Sequence, residues 1–262
     1  MTGPVTITEV PVDAPPTTAV SLRGVSKAFG HGSNAVVALE GISLDVRRGE
    51  FVCLVGASGC GKSTSLNIIA GLDHPTVGEV KVEGRSALMF QDAALFPWLT
   101  VRDNVALPLQ LAGVGRAKRQ HRAEELLKKV HLKGQGRRRP HELSGGMRQR
   151  VALARALAQD VDILLMDEPF GALDAMTRDL LHDELERLWS TTGLTVVFVT
   201  HNVREAARLS DRIVLLTSLP GKVAHQFDVN IDRPRRIDSP EVSGLAARVT
   251  DRLRQEVSRH GH

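Results

Sequence analysis

The stretch Phe51-Val52-Cys53-Leu54-Val55-Gly56-Ala57-Ser58-Gly59-Cys60-Gly61-Lys62-Ser63-Thr64 decides how this chain is read. Five apolar residues between Gly49-Glu50 and Gly56 have the look of a strand buried on both faces. The segment after it fits G-x-x-x-x-G-K-[S/T], a loop whose bare backbone N–H groups close around phosphates. In that pattern Gly56, Gly59 and Gly61 let the backbone approach a triphosphate, Lys62 neutralises its outer oxygens and Ser63 offers a hydroxyl to Mg²⁺. Lys62 to Ala70 then reads as a helix ended by Gly71, and its N-terminal partial positive charge adds to the attraction for an anion. Strand, loop and helix in this order are the context that the motif requires.

Working outward, the apolar run Ile163 to Met166 ends on two adjacent carboxylates. Phosphoryl transfer to water needs charge neutralisation and an aligned nucleophile more than covalent help. Asp167 is suited to hold a metal ion through its water shell, and Glu168 to orient and deprotonate a water. Between loop and carboxylates lies Leu143-Ser144-Gly145-Gly146-Met147-Arg148-Gln149-Arg150. Ser144 is a helix cap there, and the glycines leave the helix's free N–H groups open to an anion.

The remaining pattern supplies a scaffold for these segments. Short β-type runs occupy Val20 to Gly49 with a turn at Gly30-His31-Gly32-Ser33-Asn34. Val101 to Ala158 has helical periodicity in Ala123, Leu126, Leu127 and Val130, and reads as a helical insert. Strand and helix signals then alternate: Val161–Met166, Ala175–Trp189, Thr195–Val199, Val203–Leu209 and Arg212–Leu216. Such alternation implies a parallel sheet covered by helices, an α/β fold. A peripheral helix is expected around Val242 to Val257, and Met1 to Ala19, rich in Pro and Thr, as a disordered lead-in without signal-peptide features.

In this order the segments resemble the ATP-binding subunit of an ABC transporter. The residues that carry the resemblance are the phosphate loop, Gln91 in Met89-Phe90-Gln91-Asp92, the Leu143–Arg150 signature, Asp167-Glu168, Ala172-Leu173-Asp174, and His201 after Val199-Thr200. The resemblance implies a P-loop NTPase core, mostly parallel sheet with helices, carrying an antiparallel β subdomain and a helical insert. It implies a domain over 20–228, with the insert at about 92–160, and a partly helical extension over 229–262. It implies ATP and Mg²⁺, the nucleotide held by Gly56, Ser58, Gly59, Cys60, Gly61, Lys62, Ser63 and Thr64, the metal by Ser63, Gln91 and Asp167. Catalysis falls to Glu168, His201, Lys62 and Gln91. Ser144, Gly145 and Gly146 close over the γ-phosphate of an opposite subunit, with Asp174 across the dimer contact. Phe29 matches the aromatic that stacks on adenine; packing in a core is the alternative for that ring, as solvent bonding is for Gln91 and simple capping for His201.

The apolar joint Gln91–Val101, with Phe96 and Trp98, and Leu219-Pro220-Gly221-Lys222 resemble the branch serving nitrate, sulfonate, taurine and bicarbonate importers. Between Gly84 and Met89 the chain is shorter than that branch leads one to expect. The resemblance implies membrane permease subunits docked at this joint, an extracytoplasmic solute-binding protein, a homodimer or paired ATPase subunit, and a place on the cytoplasmic face of the membrane. Packing of Phe96 and Trp98 within the insert is the plainer reading.

Bulk properties bound the rest. Lys plus Arg number 34 against 30 Asp plus Glu, a surplus of +4 that makes no nucleic-acid stripe. The densest basic stretches, Arg116 to Arg122 and Arg137 to Arg139, read as a solvated helix face and a loop, with acidic headgroups or a partner as the other reading. Cys53 and Cys60 suggest neither disulfide nor metal site. No apolar run approaches the about 18 residues of a membrane span. A soluble ABC-type ATPase acting on nucleic acid or ribosomes, or a kinase acting on a small molecule, are the competing functions.

Overall fold

A computed structural model describes residues 17–30, 32–171 and 173–260. Positions 1–16 of the expected lead-in, His31 of the turn, and Ala172 lie outside the described residues. Thr18 and Ala19, expected within the lead-in, belong to β1 (Thr18–Phe29), where Ala19 is buried.

β1 pairs antiparallel with β2 (Val36–Arg47) and with β4 (Val77–Val82), giving a three-stranded sheet ordered β2-β1-β4. The larger sheet runs β5-β6-β7-β3-β8-β9. Its members are β3 (Phe51–Val55), β5 (Ser86–Met89), β6 (Ile163–Asp167), β7 (Thr195–Thr200), β8 (Arg212–Leu216) and β9 (Val223–Asp228). All its pairings are parallel except β8 with β9.

β3 is buried along its whole length, and its side chains divide by parity. Phe51, Cys53 and Val55 join the core shared with the helical insert, whereas Val52 and Leu54 join the core beneath the three-stranded sheet and helix α1 (Lys62–Ile69). A strand that must satisfy two cores has no room for polar positions, which is why it reads as an unbroken apolar run.

The insert consists of α2 (Val101–Leu111), α3 (Arg116–Lys129) and α4 (Gly145–Leu157). α5 (Ala175–Thr192) follows β6, α6 (Val203–Leu209) follows β7, and α7 (Pro240–His260) closes the chain. Register places the chemistry: Val55 lies beside Thr200, and Asp167 beside Val199, so three neighbouring strands end in one row. The carboxyl edge of a parallel sheet is where α/β folds bind ligands.

Candidate functional site

The loop after β3, the carboxylates after β6 and the residue after β7 meet at that edge. Ser58, Gly59, Gly61, Lys62, Ser63, Thr64, Gln91, Asp167 and Glu168 line one open cleft. Lys62 is buried to 6% exposure, and its ammonium donates to the carbonyls of Gly56 and Ala57, both at 2.9 Å. The lysine thus holds the loop curled around its own charge, with the N-terminus of α1 directly beneath. α1 starts at Gly61, which has φ +90° and no side-chain cap, so its first N–H groups remain available to an anion.

The glycines of the loop divide by role. Gly59, at φ +79°, has open space where a Cβ would stand, as expected of a residue that lets a phosphate approach. Gly56 and Gly61 answer to packing instead. A Cβ on Gly56 would stand 2.6 Å from Cys60 Sγ, and one on Gly61 would stand 2.4 Å from Leu39 Cδ2. Cys60 itself is fully buried behind the loop, where burial pushes its thiol above the usual range, so its side chain turns away from the cleft. Gly221 closes the back of the loop, for a Cβ there would stand 2.2 Å from the Cys60 carbonyl oxygen. This gives Leu219-Pro220-Gly221 a physical reason that its sequence did not disclose.

Asp167 and Glu168 occupy different environments. Burial pushes the Asp167 carboxyl above the usual carboxylate range; the neighbouring Glu168 charge acts in the same direction, while the Ser63 hydroxyl, hydrogen-bonded to it, and Lys62 act against. Glu168 has φ +43°, a conformation costing a residue with a Cβ of order 1–3 kcal/mol. Its N–H donates to Val199 O at 3.0 Å, and Gly171 N–H donates to its carbonyl at 3.1 Å. The carboxylate then meets His201 Nδ1 at 2.9 Å. A Cβ on Gly171 would stand 3.6 Å from Gln91 Nε2 and 3.8 Å from Glu168 Oε2, so this glycine keeps space between amide and carboxylate.

Gln91 is tied to the insert by residues that sequence reasoning passed over. Gln149 on α4 donates to the Gln91 carbonyl at 2.6 Å, and Arg155, two turns further, donates to the carbonyls of Ala93 and Ala94, each at 2.8 Å. Gln149 stood inside the signature segment, but nothing local told which backbone it would reach. Arg178 likewise holds the loop after Glu168 through the carbonyls of Phe170 and Leu173.

Ser144 accepts from Met147 N–H at 3.3 Å and caps α4, as its type and place led one to expect. Gly145 borders a separate hollow with Gln91, Asp92, Ala93, Arg148, Gln149 and Leu173. Gly146 is buried and answers to packing, since a Cβ would stand 2.2 Å from Thr177 Cγ2. Ser144, Gly145, Gly146 and Asp174 do not line the cleft of Lys62. Asp174 is exposed, caps α5 by accepting from Thr177 N–H at 2.9 Å, and is held below the usual carboxylate range by that bond. Phe29 is 46% exposed with the Lys27 ammonium 5.0 Å from its ring centre, which removes the core reading of this residue. Trp98 is 67% exposed and lies 5.4 Å from the Phe96 ring; the two pack on each other without being absorbed into the insert.

A family model described as "ABC transporter" matches residues 39–171, spanning the phosphate loop, signature and paired carboxylates. The chain belongs to that family. It is 42% identical over 238 residues, 88% of this chain and 92% of the relative, to an aliphatic sulfonates import ATP-binding protein of Bacillus licheniformis. It is 47% identical over 229 residues to the bicarbonate transport ATP-binding protein CmpC of Synechococcus elongatus. That match takes 83% of this chain but 34% of CmpC, so the chain spans about a third of that relative's length. Among solved structures, the ATP-binding cassette MJ0796, a dimer in a post-hydrolysis state bound to ADP and Pi, superposes with a TM-score of 0.73. It is 37% identical, and the match covers 81% of this chain and 100% of that one. The cleft is therefore that of an ATP-hydrolysing cassette with the P-loop NTPase fold. The short Gly84–Met89 connection does not remove the chain from its branch, because the relatives just described belong to it.

Proposed function

We propose that this chain is the ATPase subunit of an importer for a small oxyanion or sulfonate-like solute, acting as a head-to-tail dimer on the cytoplasmic face of a membrane. The observation that carries the dimer is the separation of two anion-binding helix tips. α1 begins inside the cleft with its lysine and carboxylates, whereas the Ser144-capped tip of α4 lies outside it. Each tip is half of a site, and a second copy brings the α4 tip over a triphosphate held by the first.

The residues fit Mg-ATP. Among the described residues no cluster of three or more His, Cys, Asp or Glu could hold a metal by itself. The Ser63 hydroxyl with Asp167 and Gln91 suits an ion that keeps some of its waters and takes its other ligands from phosphates. Mg²⁺ held there by Ser63, Asp167 and Gln91 would supply positive charge against the phosphates. Lys62 leaves its loop carbonyls to bind their oxygens, Glu168 takes a proton from the attacking water, and His201 and Gln91 hold that water and the γ-phosphoryl group in line. As the new O–P bond forms, the bond to the β–γ bridging oxygen breaks, and ADP carries away the electron pair.

Coupling to separate permease subunits is supported by the surface beside the cleft. Phe96 and Leu107 border two adjoining hollows, one with Trp98 and Gln110, the other with Phe90, Leu111 and Val114. Leu111 and Trp98 are strongly exposed, the mark of an apolar socket. Because Arg155 and Gln149 tie the adjacent backbone to α4, movement of the signature helix reaches this socket. No helix among the described residues is long and apolar enough to cross a membrane, and transport is assigned to partners, with a solute-binding protein outside. Relatives named as transport and import ATP-binding proteins favour this function over action on nucleic acid or ribosomes. Uptake of labelled alkanesulfonate, bicarbonate and nitrate by cells carrying Glu168→Gln tests it: one of the three should fall to background. Undiminished uptake of all three refutes the importer assignment.

A further inference from the structure

We propose that His182, on α5 and outside the cleft of Lys62, is a positioning residue for hydrolysis: with Glu205 and Thr200 it fixes the segment that carries His201. The inference rests on the reading above, in which His201 and Glu168 act on the attacking water.

His182 is fully buried. Its Nε2 lies 2.5 Å from Glu205 Oε1, and its Nδ1 lies 3.2 Å from Arg208 Nη1. A guanidinium can only donate, so Nδ1 accepts and the ring proton sits on Nε2, directed at Glu205. The other Glu205 oxygen accepts from the Thr200 hydroxyl, and Thr200 Oγ1 accepts in turn from Asn202 N–H at 3.0 Å. Thr200 and Asn202 flank His201, whose own side chain is 65% exposed and reaches Glu168 at 2.9 Å. An exposed imidazole is placed by its backbone, and here that backbone is bonded on both sides to one buried chain.

The same chain joins separate elements. Arg208 on α6 also reaches Asp179 at 3.4 Å, and Asp183, both on α5. Asp174 caps the same helix, α5, so the start of α5 and the segment carrying His201 are linked through the bonds of one histidine to Glu205 and Arg208. The His182 ring further meets Phe170, two residues beyond Glu168, edge-on at 5.5 Å. A histidine that merely filled the core would have no need of a fully specified tautomer; this one has a distinct partner on each nitrogen.

Steady-state hydrolysis and titration with a fluorescent ATP analogue test the proposal. His182→Leu keeps the bulk but loses both bonds; kcat should fall by about tenfold or more while analogue affinity stays within about twofold, since misplacement of a catalytic group acts on chemistry. His182→Gln should restore turnover to within about threefold, because a carboxamide can donate to Glu205 and accept from Arg208. In a His201→Ala background His182→Leu should add no further loss, the signature of a residue acting through His201. Wild-type kcat in folded His182→Leu, equal losses in the Leu and Gln variants, or additive losses with His201→Ala each overturn the proposal. Should His182→Leu fail to fold, Thr200→Val and Thr200→Ser carry the comparison: the hydroxyl-free variant must lose turnover and the serine keep it, and equal turnover overturns the idea. Unaltered hydrolysis in both His201→Ala and Glu168→Gln would instead sink the site reading itself.

Discussion

Helix α1 follows a glycine cap, Gly61, and α4 begins on Gly145; neither has an acidic residue in its first turn, yet their surroundings differ. Around the tip of α1 stand Lys62, Ser63, Asp167 and Glu168. At the tip of α4 stand the Ser144 cap and a hollow shared with Arg148, Gln149 and Leu173. Both tips have the free N–H groups that attract an anion. The first adds two adjacent carboxylates beside a lysine and a hydroxyl, whereas the hollow at the second has Asp92 without an acidic neighbour. A helix tip alone is thus a clamp, and chemistry requires it to be set at a sheet edge where a second strand, β6, brings its acids.

Changes on the two sides should therefore fail in different ways. The largest effect belongs to Glu168→Gln, which removes the base but leaves the cradle: single-turnover measurement should show hydrolysis down by about a hundredfold or more with ATP binding retained. Unchanged hydrolysis would place the base elsewhere. Lys62→Ala acts on the cradle itself; loss of a charge-assisted contact of about 1.5–3 kcal/mol should weaken nucleotide binding by roughly ten- to a hundredfold, read by titration with a labelled analogue. On the α4 side, Gly146→Ala drives a methyl into Thr177 and should cost about 1–3 kcal/mol in denaturant unfolding. Adding Thr177→Ser, which deletes the obstructing methyl, should return most of it; no return would show that the Thr177 methyl is not what excludes a side chain at Gly146. Smallest is Phe29→Ala, where loss of a stacking contact of about 0.5–1.5 kcal/mol should weaken ATP affinity a few-fold without altering kcat.

How much of this was legible in the sequence follows the same physics. Strand β8 and helix α6 have the bounds expected for them, because Asn202 caps α6 from outside and both elements are buried through most of their length. α5 runs to Thr192, not Trp189, since the hydroxyls of Thr191 and Thr192 bond back to the carbonyls of Arg187 and Leu188 and Gly193 takes the left-handed terminus. Ser-Thr-Thr has weak helix propensity, which is why the sequence pattern stops the helix at Trp189. β4 gave no strand signal because it is largely exposed and carries Gly78, Glu79 and Lys81. In the site, the residues assigned to nucleotide stood out because their proposed chemistry demands particular types at fixed spacing. Those that hold them, Gln149, Arg155, Gly221 and His182, did not, because each acts on a backbone or side chain distant in sequence.

The central claim is that a triphosphate gripped at α1 of one chain is covered by the α4 tip of another. Light scattering of Glu168→Gln at rising Mg-ATP measures this most directly. The account predicts a molar mass that moves from one chain to two as nucleotide binds, and returns to one when nucleotide is removed. A mass that stays at one chain with ATP saturating, alongside wild-type hydrolysis whose specific rate is independent of protein concentration, would contradict it.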